Sequence, residues 1–265
     1  MTSHDQSIAP AVLPRMVVWF SCGAASAVAA KLCLSLYGGQ YDIAVARCVV
    51  INEHHDNNRF ADHCARWLGV PILSLMSRKY MNCWEVWEQE RYLVGVHGAP
   101  CTKHMKRNVR LEFERRWCPD VQVYGYTYEE KGRVERFREN NPEIELLTPL
   151  IDMHLSKADC LAMIQRADIS LPAMYLLGFN NNNCVGCVKG GKGYWNRVRR
   201  HFPHTFARMA GLERRLNATV LYQDEEKLFL DKLPPTAGRH KESKIDCSLF
   251  CYSAERIITP AHRDV

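Results

Sequence analysis

Much that would simplify a reading is missing from this sequence of 265 residues. No segment is of low complexity, and no unit recurs at the spacing of roughly 20–50 residues that marks solenoids and propellers. The opening "MTSHDQSIAPAVLPRM" has neither the basic start nor the apolar run of a secretory signal. The cytosol is therefore the expected compartment, where twelve cysteines are not expected to form a disulfide framework. Most of them read as small buried hydrophobes, leaving a few for metal or thiol chemistry. Only residues 16–37 come near membrane-span length, and Gly23, Ser26 and Lys31 interrupt them. No membrane association is expected. Charge is also modest: the formal value of +6 biases the chain mildly toward anionic partners.

An ordinary globular composition is present, 47% apolar and 24% charged, with length enough for a sizeable core. "RMVVWFS" reads as a buried strand, and "AVAAKLCLSLYGG" as a helix stopped by Gly38-Gly39. "DIAVARCVVIN", "VPILSLM", "DVQVYGYT" and "IELLTPLID" supply four more strands, with "NNRFADHCARWLG" and "KRNVRLEFERRWC" as helices between them. That alternation predicts an α/β fold, a Rossmann-like parallel sheet of about five strands with helices on both faces. Residues 1–15 read as a flexible lead-in and 16–153 as the sheet domain. Residues 154–265 read as a mostly helical, Cys-rich region, opened by a capped helix at Ser156 with Asp159.

The small-residue turn "SCGAAS" joins the first strand to its helix. Such a turn is a ready anion site, because helix N-terminal amides point outward and the dipole favours negative charge. A tight turn with no ligand is the bland alternative. Asn52 and Glu53 end the second strand at the edge where open sheets bind ligands. His54, His55 and Asp56 follow; three adjacent residues point different ways, so a hydrogen-bonded turn is expected rather than a metal site.

Cys184 and Cys187 form a C-x-x-C among glycines and asparagines, a spacing that brings two thiolates to one ion. An all-thiolate site suits iron–sulfur or zinc. Cys33, Cys48, Cys64, Cys83, Cys118 and Cys160 lie in apolar patterns and read as core. Between 189 and 215 stand Lys189, Lys192, Arg197, Arg199, Arg200, Arg208, Arg214 and Arg215 against Glu213, with Tyr194, Trp195, Phe202 and Phe206 interleaved. They could line a phosphate pocket or grip a nucleic acid with stacking aromatics; a solvated helix face with inward aromatics is the alternative.

In order along the chain, "SCGAAS", "VVINEHHDNNRFADHCARWLGVPI", "GAPCTKHMK", "YGYTYEEKGRVERF", "LTPLID", "NCVGCVKGG" and "KIDCSLFC" resemble the phosphoadenosine phosphosulfate (PAPS) reductase family of the adenine-nucleotide α-hydrolase, or PP-loop, superfamily. Four departures stand out. Ala25 replaces the loop's acidic residue, Cys22 rather than glycine stands at its second position, Pro100-Cys101 stands for the paired cysteines of cluster-bearing reductases, and no histidine ends the C-terminal signature. The resemblance implies an adenine nucleotide (PAPS, APS or ATP, with Mg²⁺ if ATP) held by Ser21, Cys22, Gly23, Ala24, Ser26, Asn52, Glu53, Lys103, Arg133 and Arg136. It implies a 4Fe-4S cluster, or Zn²⁺, on Cys101, Cys184, Cys187 and Cys251. Cys247 would then be the nucleophile, or Cys251 and Cys247 exchange roles, with Lys241 and Lys244 lowering the thiol pKa. The implied reaction is reductive release of sulfite, with a thiol reductant such as thioredoxin. The alternatives are an ATP-pyrophosphatase-type sulfurtransferase that adenylates and thiolates a tRNA or DNA base, and a non-catalytic metal-knuckle module that binds nucleic acid. A homo-oligomer is compatible with each.

Overall fold

The computed structural model describes residues 12–96, 98–239 and 245–259. Its centre is a five-stranded, all-parallel sheet of order β3-β2-β1-β4-β5, from β1 (Arg15–Trp19), β2 (Asp42–Cys48), β3 (Ile72–Leu75), β4 (Val121–Tyr124) and β5 (Glu145–Leu147). All five expected strands form. α1 (Ala24–Tyr37), α2 (Asn57–Leu68), α3 (Cys83–Glu90), α4 (Pro100–Thr102) and α5 (Asn108–Trp117) fall between β1 and β4. A π-helical turn, Lys103–Arg107, joins α4 to α5. α6 (Lys131–Asn140) links β4 to β5. Beyond come α7 (Pro149–Asp152), α8 (Lys157–Arg166), α9 (Ala173–Leu176), α10 (Lys192–His201), α11 (Pro203–Leu216), the hairpin β6 (Leu221–Gln223) and β7 (Glu226–Leu228), and α12 (Leu249–Ile258).

The run "RMVVW" is apolar throughout because β1 is covered on both faces, as a central parallel strand must be. Met16 and Val18 pack with α1, α2, α8 and α12, while Val17 and Trp19 face Phe113 and Trp117 of α5. No helix is long and apolar enough to cross a membrane among the described residues. The apolar opening of the chain is a strand, a turn and a 14-residue helix.

The chain runs from β1 outward through β2 and β3, then returns to β4 on the other side of β1. That reversal opens a crevice between the carboxyl ends of β1 and β4, where ligands bind in open α/β sheets. The "SCGAAS" turn lies there.

A second core joins α3, α10, α11 and the hairpin around Trp87, Trp195, Met209 and Leu212. The two cores interleave across residue 153: α8 and α12 pack on the sheet, and α3 packs with α10 and α11. The hairpin escaped the sequence reading because its turn is Asp224-Glu225, both at positive φ, rather than the usual Asn-Gly. In this core the fully buried Glu213 accepts the N–H groups of Val220 (2.8 Å) and Leu230 (2.7 Å). Burial pushes its carboxyl up to about 7. Its folded value thus lies above the unfolded one of about 4.3. Between those values the folded state holds the extra proton, so stability falls as pH rises through the window. Glu213→Gln should flatten that slope in denaturant melts taken from pH 4.5 to 7.5, to the extent of about one proton.

Candidate nucleotide and metal site

The phosphate-type loop is built by short-range bonds. Ser26 Oγ donates to Gly23 O (2.9 Å) and accepts Ser21 N (3.0 Å), folding the turn onto α1. Cys22 takes a left-handed φ of 57°, with its thiol turned inward against Arg47 and Asn57. Burial pushes that thiol up to about 11, and Cys22 lines the smaller of two cavities that meet at this turn. Gly125, just past β4, is forced by proximity: a Cβ there would lie 2.7 Å from Ser26 N.

Ser21, Gly23, Ala25 and Ser26 line a cavity of about 1220 Å³. Its other walls carry Lys106, Arg133, Lys157, Glu129, Glu130 and the run Asn180–Asn183. Asn182 donates to Cys22 O (2.6 Å) and Asn57 Oδ1 (2.8 Å), which seats the asparagine run against the loop. Lys157 reaches Asn180 O and Asn181 Oδ1, and burial lowers its ammonium below the ordinary value. A second cavity of about 420 Å³ adjoins, sharing Ser21, Lys106, Gly125, Glu130 and Arg133. Its aromatic wall is Trp19, Tyr124, Tyr126 and Phe137.

Several expected binding residues move. Lys103 is exposed and lines neither cavity; the π turn instead directs Lys106 inward, where it pairs with Glu53 Oε1 (2.9 Å). Burial alone would lower the Lys106 ammonium, but Glu53 and Cys184 together hold it raised. Arg136 lies on the exposed side of α6 and lines neither cavity, while Arg133 does and pairs with Glu130 (2.7 Å). Lys157, Tyr175 and the asparagine run also line the larger cavity, which the sequence did not lead one to expect. Their one sequence signal was four consecutive asparagines before a C-x-x-C.

Asn52 does other work than expected. Its side chain accepts Cys83 N (2.7 Å) and its carbonyl accepts Val185 N (2.8 Å). One residue in the turn after β2 thus pins the start of α3 and the C-x-x-C knuckle together. Cys83 lies within hydrogen-bonding reach of both Cys101 and Cys184. Cys187 belongs to the same knuckle as Cys184 and senses the charges of Cys184 and Cys101. Cys83, Cys101, Cys184 and Cys187 are thus neighbours, but no three of their sulfurs come within 4.8 Å of one another; among the described residues Asp159, Cys247 and Cys251 do. Cys83 reads as core in the sequence because "CWEVW" is an apolar helical pattern, and it is buried in the second core, beside Cys101 and Cys184. Cys118, also expected in the core, is exposed at the end of α5.

Cys251 is not among these four neighbours. It is buried in α12 on the sheet's core, beside Cys247, Asp159 and Arg166. Cys247 packs on that same core and lines neither cavity. Lys241 and Lys244 fall outside the described residues.

The donor set tests the fit of a metal. Four free cysteines from three segments are neighbours, spaced more widely than the 4.8 Å group of Asp159, Cys247 and Cys251, and all-thiolate sets suit iron–sulfur or zinc. The contact with Cys83 holds the Cys101 thiol below its ordinary range, against the opposing effect of burial. Trp87 Nε1, buried without an oxygen or nitrogen acceptor, faces the Cys101 sulfur as a donor to a thiolate. Tyr194 clasps the knuckle: its hydroxyl accepts Gly186 N (2.9 Å) and Cys187 N (2.8 Å) and donates to Cys184 O (2.7 Å). Tyr194→Phe strands three backbone groups. A loss of about 1–3 kcal/mol in stability is expected, read by denaturant melts, with faster amide exchange at Gly186 and Cys187.

Three arginines of the basic stretch are tied to neighbouring elements. Arg214 pairs with Asp231, Arg215 with Glu88, and Arg199 donates to Leu230 O and Leu233 O. Trp195 is fully buried, and Tyr194, Phe202 and Phe206 pack against the second core. The aromatics point inward, and no residue from 189 to 215 lines either cavity. His54 and His55 form the expected turn, their rings stacked at 4.3 Å, while Asp56 pairs with Arg59.

Fold and crevice define a class: a parallel α/β protein with a phosphate-type loop at its switch point and a cysteine group beside it. Among protein-family models none matches this chain, and among curated proteins none is similar to it. Among solved structures it is similar to a phosphoadenylyl-sulfate (PAPS) reductase from Candida auris in a phosphate complex, at 11% identity and a TM-score of 0.42, over 63% of this chain and 80% of that one. It is also similar to the U34-tRNA thiolase NcsA from Methanococcus maripaludis with its 4Fe-4S cluster, at 10% identity and a TM-score of 0.44, over 78% of this chain and 74% of that one. At these distances the fold rests on the sheet's own order and register.

Proposed function

We propose that this protein is an enzyme of the PP-loop kind. It binds an adenine nucleotide by its phosphates and carries out sulfur chemistry beside a four-cysteine iron–sulfur centre. The observation that carries the reading is Lys106. It lines both cavities and stands close enough to Cys184 to feel its charge. In this reading the phosphates lie on the Ser21–Ser26 loop, gripped by Lys106, Lys157 and Arg133. The adenine occupies the aromatic cavity between Trp19, Tyr124 and Phe137.

Cys83, Cys101, Cys184 and Cys187 would hold the cluster, which supplies a redox-active, sulfide-bearing group next to the phosphates. This chain's own residues do the remaining work. Lys106 and Lys157 offset developing phosphate charge. Glu129 and Glu130 give the cavity carboxylates for Mg²⁺ in place of the loop acid missing at Ala25.

Between the two sulfur reactions, ATP-dependent sulfur transfer is favoured. Cys247, the thiol needed for reductive release of sulfite, is not among the cavity-lining residues. Reduction of a sulfonucleotide keeps one supporting observation, the absence of an acid from the loop itself. Calorimetric titration of anaerobic protein with ATP–Mg²⁺, APS and PAPS separates them. Tightest binding of ATP–Mg²⁺ is expected; preference for a phosphosulfate would select the reductase reading, and no binding would remove both. Lys157→Met should weaken the preferred nucleotide about tenfold or more in the same titration, the loss of a charge-assisted hydrogen bond.

A further inference from the structure

Away from the nucleotide cavities, the amino end of α12 gathers two thiols and one guanidinium. Cys247 precedes the helix by two residues and Cys251 lies in its first turn. Their sulfurs and an Asp159 oxygen all lie within 4.8 Å of one another. Arg166, from the last turn of α8, donates to the Cys251 sulfur and faces that of Cys247. Glu255 fixes the guanidinium from the far side, Nε to Oε1 at 2.6 Å.

The group does not suit a cation. Arg166 already places a positive charge on the sulfurs. The Asp159 carboxylate is spent on two helix starts: Oδ1 accepts Ser248 N (2.7 Å) and Oδ2 accepts Ser156 N (2.8 Å). A guanidinium on paired sulfurs favours their thiolate forms, working against burial, which pushes the Cys251 thiol up. The two sulfurs differ in access, Cys251 being fully buried and Cys247 half-buried.

We infer that Cys247 and Cys251 form a dithiol–disulfide couple that exchanges with thiols and disulfides of partners, with Cys247 as the entry point and Arg166 as the residue that sets its poise. This does not depend on the nucleotide reading. In the oxidising direction the Cys247 thiolate attacks a partner disulfide, RSSR. A mixed disulfide forms, and one RS⁻ leaves and takes up a proton. The Cys251 thiolate then attacks the Cys247 sulfur, closing the internal bond and expelling the second RSH. The couple loses two electrons and two protons, and RSSR becomes two RSH. The reverse sequence reduces the couple with a partner dithiol.

The tryptic peptide 245–256 contains both cysteines and no other, which makes a direct test possible. The full-length protein is equilibrated anaerobically in glutathione buffers of graded ratio, acid-quenched, alkylated and mapped by mass. The expected result is a cooperative passage of peptide 245–256 from doubly alkylated to unalkylated and lighter by two hydrogens. In Cys251→Ser the same titration should stop at a glutathione adduct on Cys247. Arg166→Gln removes a group that favours the thiolate form, so its midpoint should move about tenfold toward more reducing buffer. Double alkylation in every buffer would overturn the inference. So would a wild-type protein that halts at the Cys247 adduct.

Discussion

Cys83→Ser is expected to leave the protein nearly free of metal, and Cys251→Ser to leave it loaded. The first substitution takes one thiolate from the Cys83, Cys101, Cys184, Cys187 group; the second touches a sulfur that sits on the other core with Arg166. Structural clusters and zinc knuckles depend on a full donor set. Iron, zinc and acid-labile sulfide per chain, measured after anaerobic isolation, should fall at least tenfold in Cys83→Ser. The partner groups around Cys83 argue that the fold survives: its N–H remains held by Asn52, and serine keeps the side chain's size. A melt of each variant separates lost metal from lost fold. Equal metal in both variants would return Cys83 to the core and reopen the question of the fourth donor.

Gly125→Ala is expected to weaken nucleotide binding by more than about tenfold. The added methyl group would sit 2.7 Å from Ser26 N and 2.8 Å from Ser26 Cα, and the obstacle is backbone rather than a flexible side chain. Either the end of β4 or the phosphate loop must retreat. Overpacking of this kind costs about 1–3 kcal/mol, and displacement of the loop adds a loss of aligned donors. Gly132→Ala is the matched control. Nothing lies within 4 Å of the Cβ it would add, and it stands in α6, so it should bind normally and gain about 0.5–1 kcal/mol of helix stability. Titration with ATP–Mg²⁺ reads both; equal affinities would show that the loop does not hold phosphate.

The sheet was legible because each strand is a short run covered on two faces, and such runs announce themselves without any partner being known. The small-residue turn between β1 and α1 was legible for a related reason: Ser21, Gly23 and Ser26 lie within six residues of one another and bond locally. The neighbourhood of the cysteines was only half legible. Cys184 and Cys187 share a knuckle, and Cys101 carries the family resemblance. Cys83 is held near them by Asn52, a hydrogen bond across 31 positions that no local pattern encodes. The same distance problem explains Lys103 and Lys106. A helical turn with the wider π pitch decides which of the two basic residues faces inward. The basic, aromatic stretch misled because an amphipathic helix that packs its aromatics inward looks, in sequence, like one that displays them.

The central claim is that the phosphate loop and the four-cysteine group form one site, joined through Lys106 and the asparagine run. Its most direct test is the electron paramagnetic resonance spectrum of the reduced, iron-loaded protein, recorded while ATP–Mg²⁺ is added. The account predicts a saturable change in the spectrum, with the affinity that calorimetry gives, and its disappearance in Lys106→Met. A spectrum unchanged at saturating nucleotide would contradict it, since the cluster and the phosphates would then be strangers in the same chain.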